Sequence, residues 1–262
     1  MLRLPLTAAV VLSATAATLP SAQENTPVAQ GGSRTFAPVT DIEWSSAAQA
    51  GDEHRQSSLR FNRDGMNTTM GADELPEANA ALADVSSAAP GEPVSFSVAR
   101  EAGAIACAGR VTAPGRATGT CRFDPDQSFL AALSARGVVP EDVEELVGLA
   151  FVGARLASVD DLSRAGFTVA DADELITVAA LEVTGAYATA LRNAGLQPED
   201  LDELVSAKAV GVDPGWIAEM AQAGYPDLDL DKAIELCALG VTPDYARRMA
   251  RVMRAMDGVE QP

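Results

Sequence analysis

From residue 137 onward apolar positions recur at helical spacing, and the pattern itself repeats every 29 residues. Gly137, Gly166, Gly195 and Gly224 stand one period apart, as do Asp142, Asp171, Asp200 and Asp229. Leu162, Leu191, Met220 and Met249 keep the same step with an apolar side chain. Several independent positions sharing one period mark an array of stacked supersecondary units.

One period, residues 195–223, shows the logic. Gly195 to Glu199 turn the chain, and Asp200 has the type and place to cap a helix. Leu201, Leu204, Val205 and Lys208 then share one face, and Gly211 closes the helix. Asp213-Pro214 opens a second helix, with proline where a missing N–H costs nothing, and Trp216, Ile217 and Met220 line it. The next period repeats this with Asp229, Gly240, Thr242-Pro243 and Tyr245. Earlier periods are looser: Glu182 stands in place of the mid-unit glycine with Thr184 as cap, and the first unit has Gly153 but no evident second cap. A helix–turn–helix unit cannot bury its apolar face alone, so neighbours must stack. The prediction is an α-solenoid of four 29-residue helical hairpins from about residue 137, within a helical domain over residues 128–257.

Residues 53–127 carry a different pattern. Val94, Phe96 and Val98 alternate with serines at period two, the mark of a half-buried strand. Residues 105–111 and 119–123 read as a hairpin, residues 57–62 as a weaker strand, and residues 75–85 as a helical turn in a connecting loop. Residues 41–44 read as a short edge strand that gives Trp44 something to pack on. Gly103, Gly109, Gly115 and Gly119 fit tight turns or bulges. This predicts a small antiparallel β module of three to five strands and an α+β chain overall. Residues 23–52, rich in Gln, Pro, Gly, Ser and Thr, read as a flexible linker, and residues 258–262 as a tail.

A hairpin centred on Pro114 sets Cys107 directly across from Cys121. Two thiols so placed form a disulfide in an oxidising compartment if the geometry permits, the alternative being two small buried thiols. Cys237, in an apolar helical run, reads as a free, buried residue. Residues 1–22 supply the compartment: Arg3, an apolar stretch over residues 4–19 and the small pair Ser21-Ala22 resemble an export signal. Pro20 fits the cleavage site poorly, and an uncleaved anchor is the alternative. The stretch is nevertheless interrupted by Pro5, Thr7, Ser13, Thr15 and Thr18 and falls short of the ~20 residues a span needs. The expectation is a periplasmic or secreted protein with no stable membrane insertion after cleavage.

A formal net charge of −18 argues against nucleic acid and against an anionic membrane surface as partners. Arg247, Arg248, Arg251 and Arg254 concentrate positive charge in the last helix of an otherwise acidic array. That is either a helix matched to its own dipole or a polarised surface that steers a partner.

Little in the chain resembles catalytic chemistry. His54, the one histidine, sits in a polar stretch beside Ser57 and Ser58 without a nucleophile elbow, and reads as a solvated loop residue. Asp227, Asp229 and Asp231 have calcium-loop spacing, but Lys232 and Ala238 occupy the places where such a loop wants glycine and glutamate. Glu144-Glu145, Asp173-Glu174 and Asp202-Glu203 recur with the period, which points to helix first turns rather than to one active site. No catalytic residue, cofactor or metal ligand is assigned.

The segment from Phe96 to Gly103, with Cys107-Ala108-Gly109 and Gly119 to Phe123, resembles a small β module of uncharacterised exported bacterial proteins. The repeats, with Ala223-Gly224-Tyr225-Pro226-Asp227-Leu228 and Leu239-Gly240-Val241-Thr242-Pro243-Asp244-Tyr245, resemble the extracytoplasmic tails of antirepressor-type membrane metallopeptidases, the β-lactam-sensor family. The peptidase His-Glu-x-x-His motif is missing from this sequence, so proteolysis does not carry over. The resemblance implies an exported sensor-like or adaptor-like module. The expected function is non-enzymatic binding of another envelope protein. The candidate contacts are Tyr187, Trp216 and Tyr245, at equivalent places in successive units, with Arg247, Arg248 and Arg251. Inter-repeat packing is the other reading of the three aromatics. A hydrolase with a site between β module and repeats, or a structural protein assembling with itself as a homodimer, are the alternatives.

Overall fold

The change from period two to helical period becomes a change from strands to helices in the computed structural model, which describes residues 34–48, 57–63, 66–71 and 74–257. The export signal, most of the linker, His54 and the tail lie outside the described residues. Six strands form one antiparallel sheet: β1 (Val39–Ala48), β2 (Ser57–Arg63), β3 (Met66–Gly71), β4 (Pro93–Arg100), β5 (Gly103–Ala113) and β6 (Arg116–Pro125), in the order β3-β2-β1-β6-β5-β4. The hairpin has the expected register. Cys107 pairs with Cys121 across β5 and β6, and the two form a buried disulfide with Cα atoms 4.0 Å apart.

Two expectations need correction here. Residues 41–44 are not a short edge strand in a linker but part of the ten-residue β1, paired with β2 on one side and β6 on the other. The reason is Ile42 and Trp44, whose burial demands neighbours on both flanks. The Trp44 indole N–H donates to the Ala108 carbonyl at 3.3 Å, and its ring meets Phe96 edge-on at 5.1 Å. Gly109 makes room for it, since a Cβ there would lie 2.8 Å from the ring. The sheet also exceeds the predicted three to five strands. β3 is not legible as a strand because the polar run Asn67, Thr68 and Thr69 leaves it no apolar alternation.

Between β3 and β4, the predicted helical turn is the ten-residue helix α1 (Pro76–Val85), which buries Ala78, Leu82 and Val85 and packs on β4. Nine more helices follow among the described residues: α2 (Gln127–Ser134), α3 (Val143–Phe151), α4 (Leu156–Arg164), α5 (Ala172–Ala180), α6 (Gly185–Asn193), α7 (Leu201–Ala209), α8 (Pro214–Gln222), α9 (Leu230–Ala238) and α10 (Pro243–Asp257). Asp142, Asp171, Asp200 and Asp229 each cap a helix by accepting the N–H three residues on, at 2.8–3.0 Å. In the first three, the glutamate at that third position reaches back: Glu145, Glu174 and Glu203 accept the N–H groups of Glu141, Ala170 and Glu199. The second carboxylate of each recurring pair thus has a backbone duty.

The period-marking glycines end helices. Val138, Phe167, Leu196 and Tyr225 donate their N–H groups to carbonyls five residues back, with Gly137, Gly166, Gly195 and Gly224 at φ between +87° and +108°. The mid-unit turns repeat this at Gly153, Gly211 and Gly240, while Glu182 holds the same left-handed conformation at φ +53°.

Among the helices, α3 packs on α5, α7 on α9, α2 on α4, α4 on both α5 and α6, and α8 on α10. Sheet and helices share one core. Phe61 of β2 meets Phe151 of α3 at 4.4 Å between ring centroids, and Arg63 pairs with Glu144. No single helix among the described residues is long and apolar enough to cross a membrane.

Candidate functional site

Three aromatic side chains are presented by one local device. Thr184, Asp213 and Thr242 cap α6, α8 and α10 by accepting the N–H groups of Tyr187, Trp216 and Tyr245 at 3.0–3.2 Å. Each ring therefore leaves its helix at the same point of the first turn. The first two then do the same thing. The Tyr187 hydroxyl donates to the Val212 carbonyl at 2.7 Å, and the Trp216 indole N–H donates to the Val241 carbonyl at 3.2 Å. Both acceptors lie in the turn that closes the first helix of the following period. Lys208 of α7 also sits 5.1 Å above the Tyr187 ring. Tyr187 and Trp216 are accordingly half-buried, and burial, with help from the Asp213 charge, pushes the Tyr187 hydroxyl up to about 12.

Tyr245 differs. It is 48% exposed, and among the described residues its hydroxyl meets no acceptor. The large exposed hydrophobic residues of the described chain, Tyr225, Leu239, Tyr245, Met249 and Val252, all fall in its last stretch. Position by position the contrast is sharper: Leu162, Leu191 and Met220 are fully buried, whereas Met249, one period later, is 38% exposed.

The basic residues of α10 lie on the same helix. Arg247 pairs with Asp244 at 2.6 Å and reaches Glu219 of α8 at 3.8 Å. Its hydrogen bond, joined by the charges of Arg247, Arg248 and Arg251, holds the Asp244 carboxyl below its ordinary value. Arg248 and Arg251 are exposed and make no ion pair among the described residues. The candidate contacts therefore divide: Tyr187 and Trp216 lie between successive helices, while Tyr245, Arg248 and Arg251 sit in the open on α10, with Arg247 partly covered.

A second feature is a cleft of about 940 Å3 where β3, α1 and the β4–β5 turn face α3 and α5. Glu74, Glu77, Arg100, Glu101, Arg155 and Glu182 supply its charge, and its described lining includes no hydroxyl, thiol or imidazole. Arg100 lies 3.6 Å from Glu77. Glu101 is occupied otherwise, accepting the Leu156 N–H at 3.0 Å and so providing the cap that the sequence of α4 lacks. Asp161 likewise accepts the N–H of Gly185 at the start of α6. Neither partnership has a local sequence signal, because donor and acceptor are 55 and 24 residues apart.

Elsewhere, Asp229 of the calcium-like trio is the α9 cap, and no group of three or more His, Cys, Asp or Glu among the described residues is arranged to hold a metal ion. Cys237 is half-buried rather than buried, with its thiol raised by burial first and the Asp213 charge second. No protein-family model, curated protein or solved structure matches the chain.

Proposed function

We propose that the chain is an exported, non-enzymatic protein-interaction module, an adaptor or sensor-like accessory protein of the bacterial envelope. In this reading the sheet anchors an α-solenoid of four 29-residue helical hairpins, and the array binds another envelope protein. What supports it most is the change at one repeat position, buried in Leu162, Leu191 and Met220 and open in Met249, beside exposed Leu239, Tyr245 and Val252. Tyr245, Met249 and Val252, at i, i+4 and i+7 on α10, give an acidic chain an apolar helix face, a surface suited to a partner. A disulfide in the sheet is consistent with export.

The test is a pull-down from envelope extract with the full chain from residue 23 immobilised. One saturable partner, weakened by added salt, is the expected result. Retention of nothing but the chain itself refutes the reading and leaves self-assembly, measured by sedimentation, or a ligand of the charged cleft to account for the fold.

A further inference from the structure

Building on the interaction-module reading, we infer that Tyr245, Met249, Arg248 and Arg251 form a docking site for an acidic amphipathic helix of another protein. That helix sits on α10 as α7 sits on Tyr187 and as α9 sits beside Trp216. The molecule carries its own template for the contact. At both inner places a ring fixed by the cap before it donates to the carbonyl in the turn after a nine-residue helix. Tyr245 is fixed by Thr242 in the same way, with its hydroxyl unpartnered among the described residues. A helix followed by a turn, offering one carbonyl, completes the geometry.

Apolar chemistry agrees. Met249 is exposed where the corresponding inner residues are fully covered, so an incoming side chain gains what α10 lacks. Charge then selects the kind of helix. One period before Arg248 and Arg251 stand Glu219 and Gln222, and two periods before stand Ala190 and Asn193. Guanidiniums at both places occur on α10 and not on α6 or α8; both are exposed and make no ion pair among the described residues, the nearby Asp244 carboxylate being paired with Arg247. The helices of the template carry the complementary charge in their first turns, Asp202 and Glu203 on α7 and Asp231 on α9. An acidic first turn meeting this pair fits both the internal pattern and the sign of the surface.

A second copy of the chain fits less well. A two-fold pairing of α10 on α10 brings guanidinium rows together. A head-to-tail pairing needs a free leading helix, but α3 is committed to the sheet through Phe151 on Phe61 and Glu144 on Arg63.

The probe is a fluorescent, hydrocarbon-stapled peptide copying residues 199–213, which hold α7, its cap and its closing turn. It is titrated by anisotropy against the full chain from residue 23. Saturable one-to-one binding is expected, weakened about tenfold or more by Met249→Glu. Tyr245→Phe weakens it several-fold, and the double change Arg248→Gln with Arg251→Gln flattens its salt dependence. All four positions are exposed, so the variants keep the wild-type circular dichroism and melting temperature. Absence of binding, binding unmoved by Met249→Glu, or a mass that doubles with concentration and is halved by Met249→Glu overturns the inference. If the peptide fails while the pull-down partner is still retained, the docking site falls and the interaction-module reading stands; if both fail, both are wrong.

Discussion

Replacing Glu182 by glycine is expected to stabilise the protein. Glu182 holds φ +53°, and the equivalent turns at Gly153, Gly211 and Gly240 hold the same left-handed backbone with a residue that tolerates it. The conformation costs a side-chain-bearing residue about 1–2 kcal/mol. Glycine removes that cost but gives the unfolded chain more freedom, which offsets about 0.4–1 kcal/mol. Side-chain losses are small, since Glu182 is exposed and makes no hydrogen bond or ion pair through its carboxylate among the described residues. The net gain is about 0.5–1 kcal/mol. For a chain of this length that corresponds to a rise of roughly 1–4 °C in melting temperature. Gly211→Ala is the reciprocal experiment. It sits at φ +81° with nothing within 4 Å of an added Cβ, so backbone conformation alone decides the outcome, and a loss of about 1 kcal/mol is expected. Both are read by urea titration followed at 222 nm. A less stable Glu182→Gly, or a neutral Gly211→Ala, would refute the reasoning by showing that these turns relax out of the left-handed region at no cost.

Removing the disulfide with paired Cys107→Ala and Cys121→Ala should cost about 3 kcal/mol, because the bond closes a sequence separation of 14 residues, and reductant should lower the urea midpoint of wild type alone. Tyr187→Phe leaves the buried Val212 carbonyl without its donor and should cost about 1–2 kcal/mol in the same assay. It should also remove the step near pH 12 from the alkaline absorbance titration at 295 nm. The native state keeps this hydroxyl protonated while the unfolded chain loses the proton near pH 10, so the contribution is intact below pH 10 and disappears as pH rises towards 12. Glu101→Ala should cost about 1 kcal/mol and accelerate hydrogen exchange at the first amides of α4 without touching α8, whose cap is its own Asp213.

What could be read from the sequence was whatever local spacing encodes. The cap at Asp200, the turn at Gly211 and the opposition of Cys107 and Cys121 each depend on a few neighbouring residues, and the structure has all three. Strand β1 was harder: its alternation is legible, but its place inside the sheet depends on partners 17 and 77 residues away, Phe61 opposite Trp44 on one side and Thr120 opposite Glu43 on the other. At the candidate site, the equivalence of Tyr187, Trp216 and Tyr245 was visible in the period. That two of them donate across a turn while the third is open was not, because equivalent places in the period differ in burial according to which helix lies next to them.

Glu101 bears on where the molecule can be cut. A change of periodicity near residue 127 invites separation into two fragments at that point. Yet the first amide of α4 is satisfied from a turn of the sheet, Arg34 donates to the carbonyls of Pro140 and Glu141, and Phe151 rests on Phe61. Severed there, the helical part would begin with a frayed edge and an uncovered aromatic ring, and transplanting it onto another scaffold would require carrying the β4–β5 corner along as its splice.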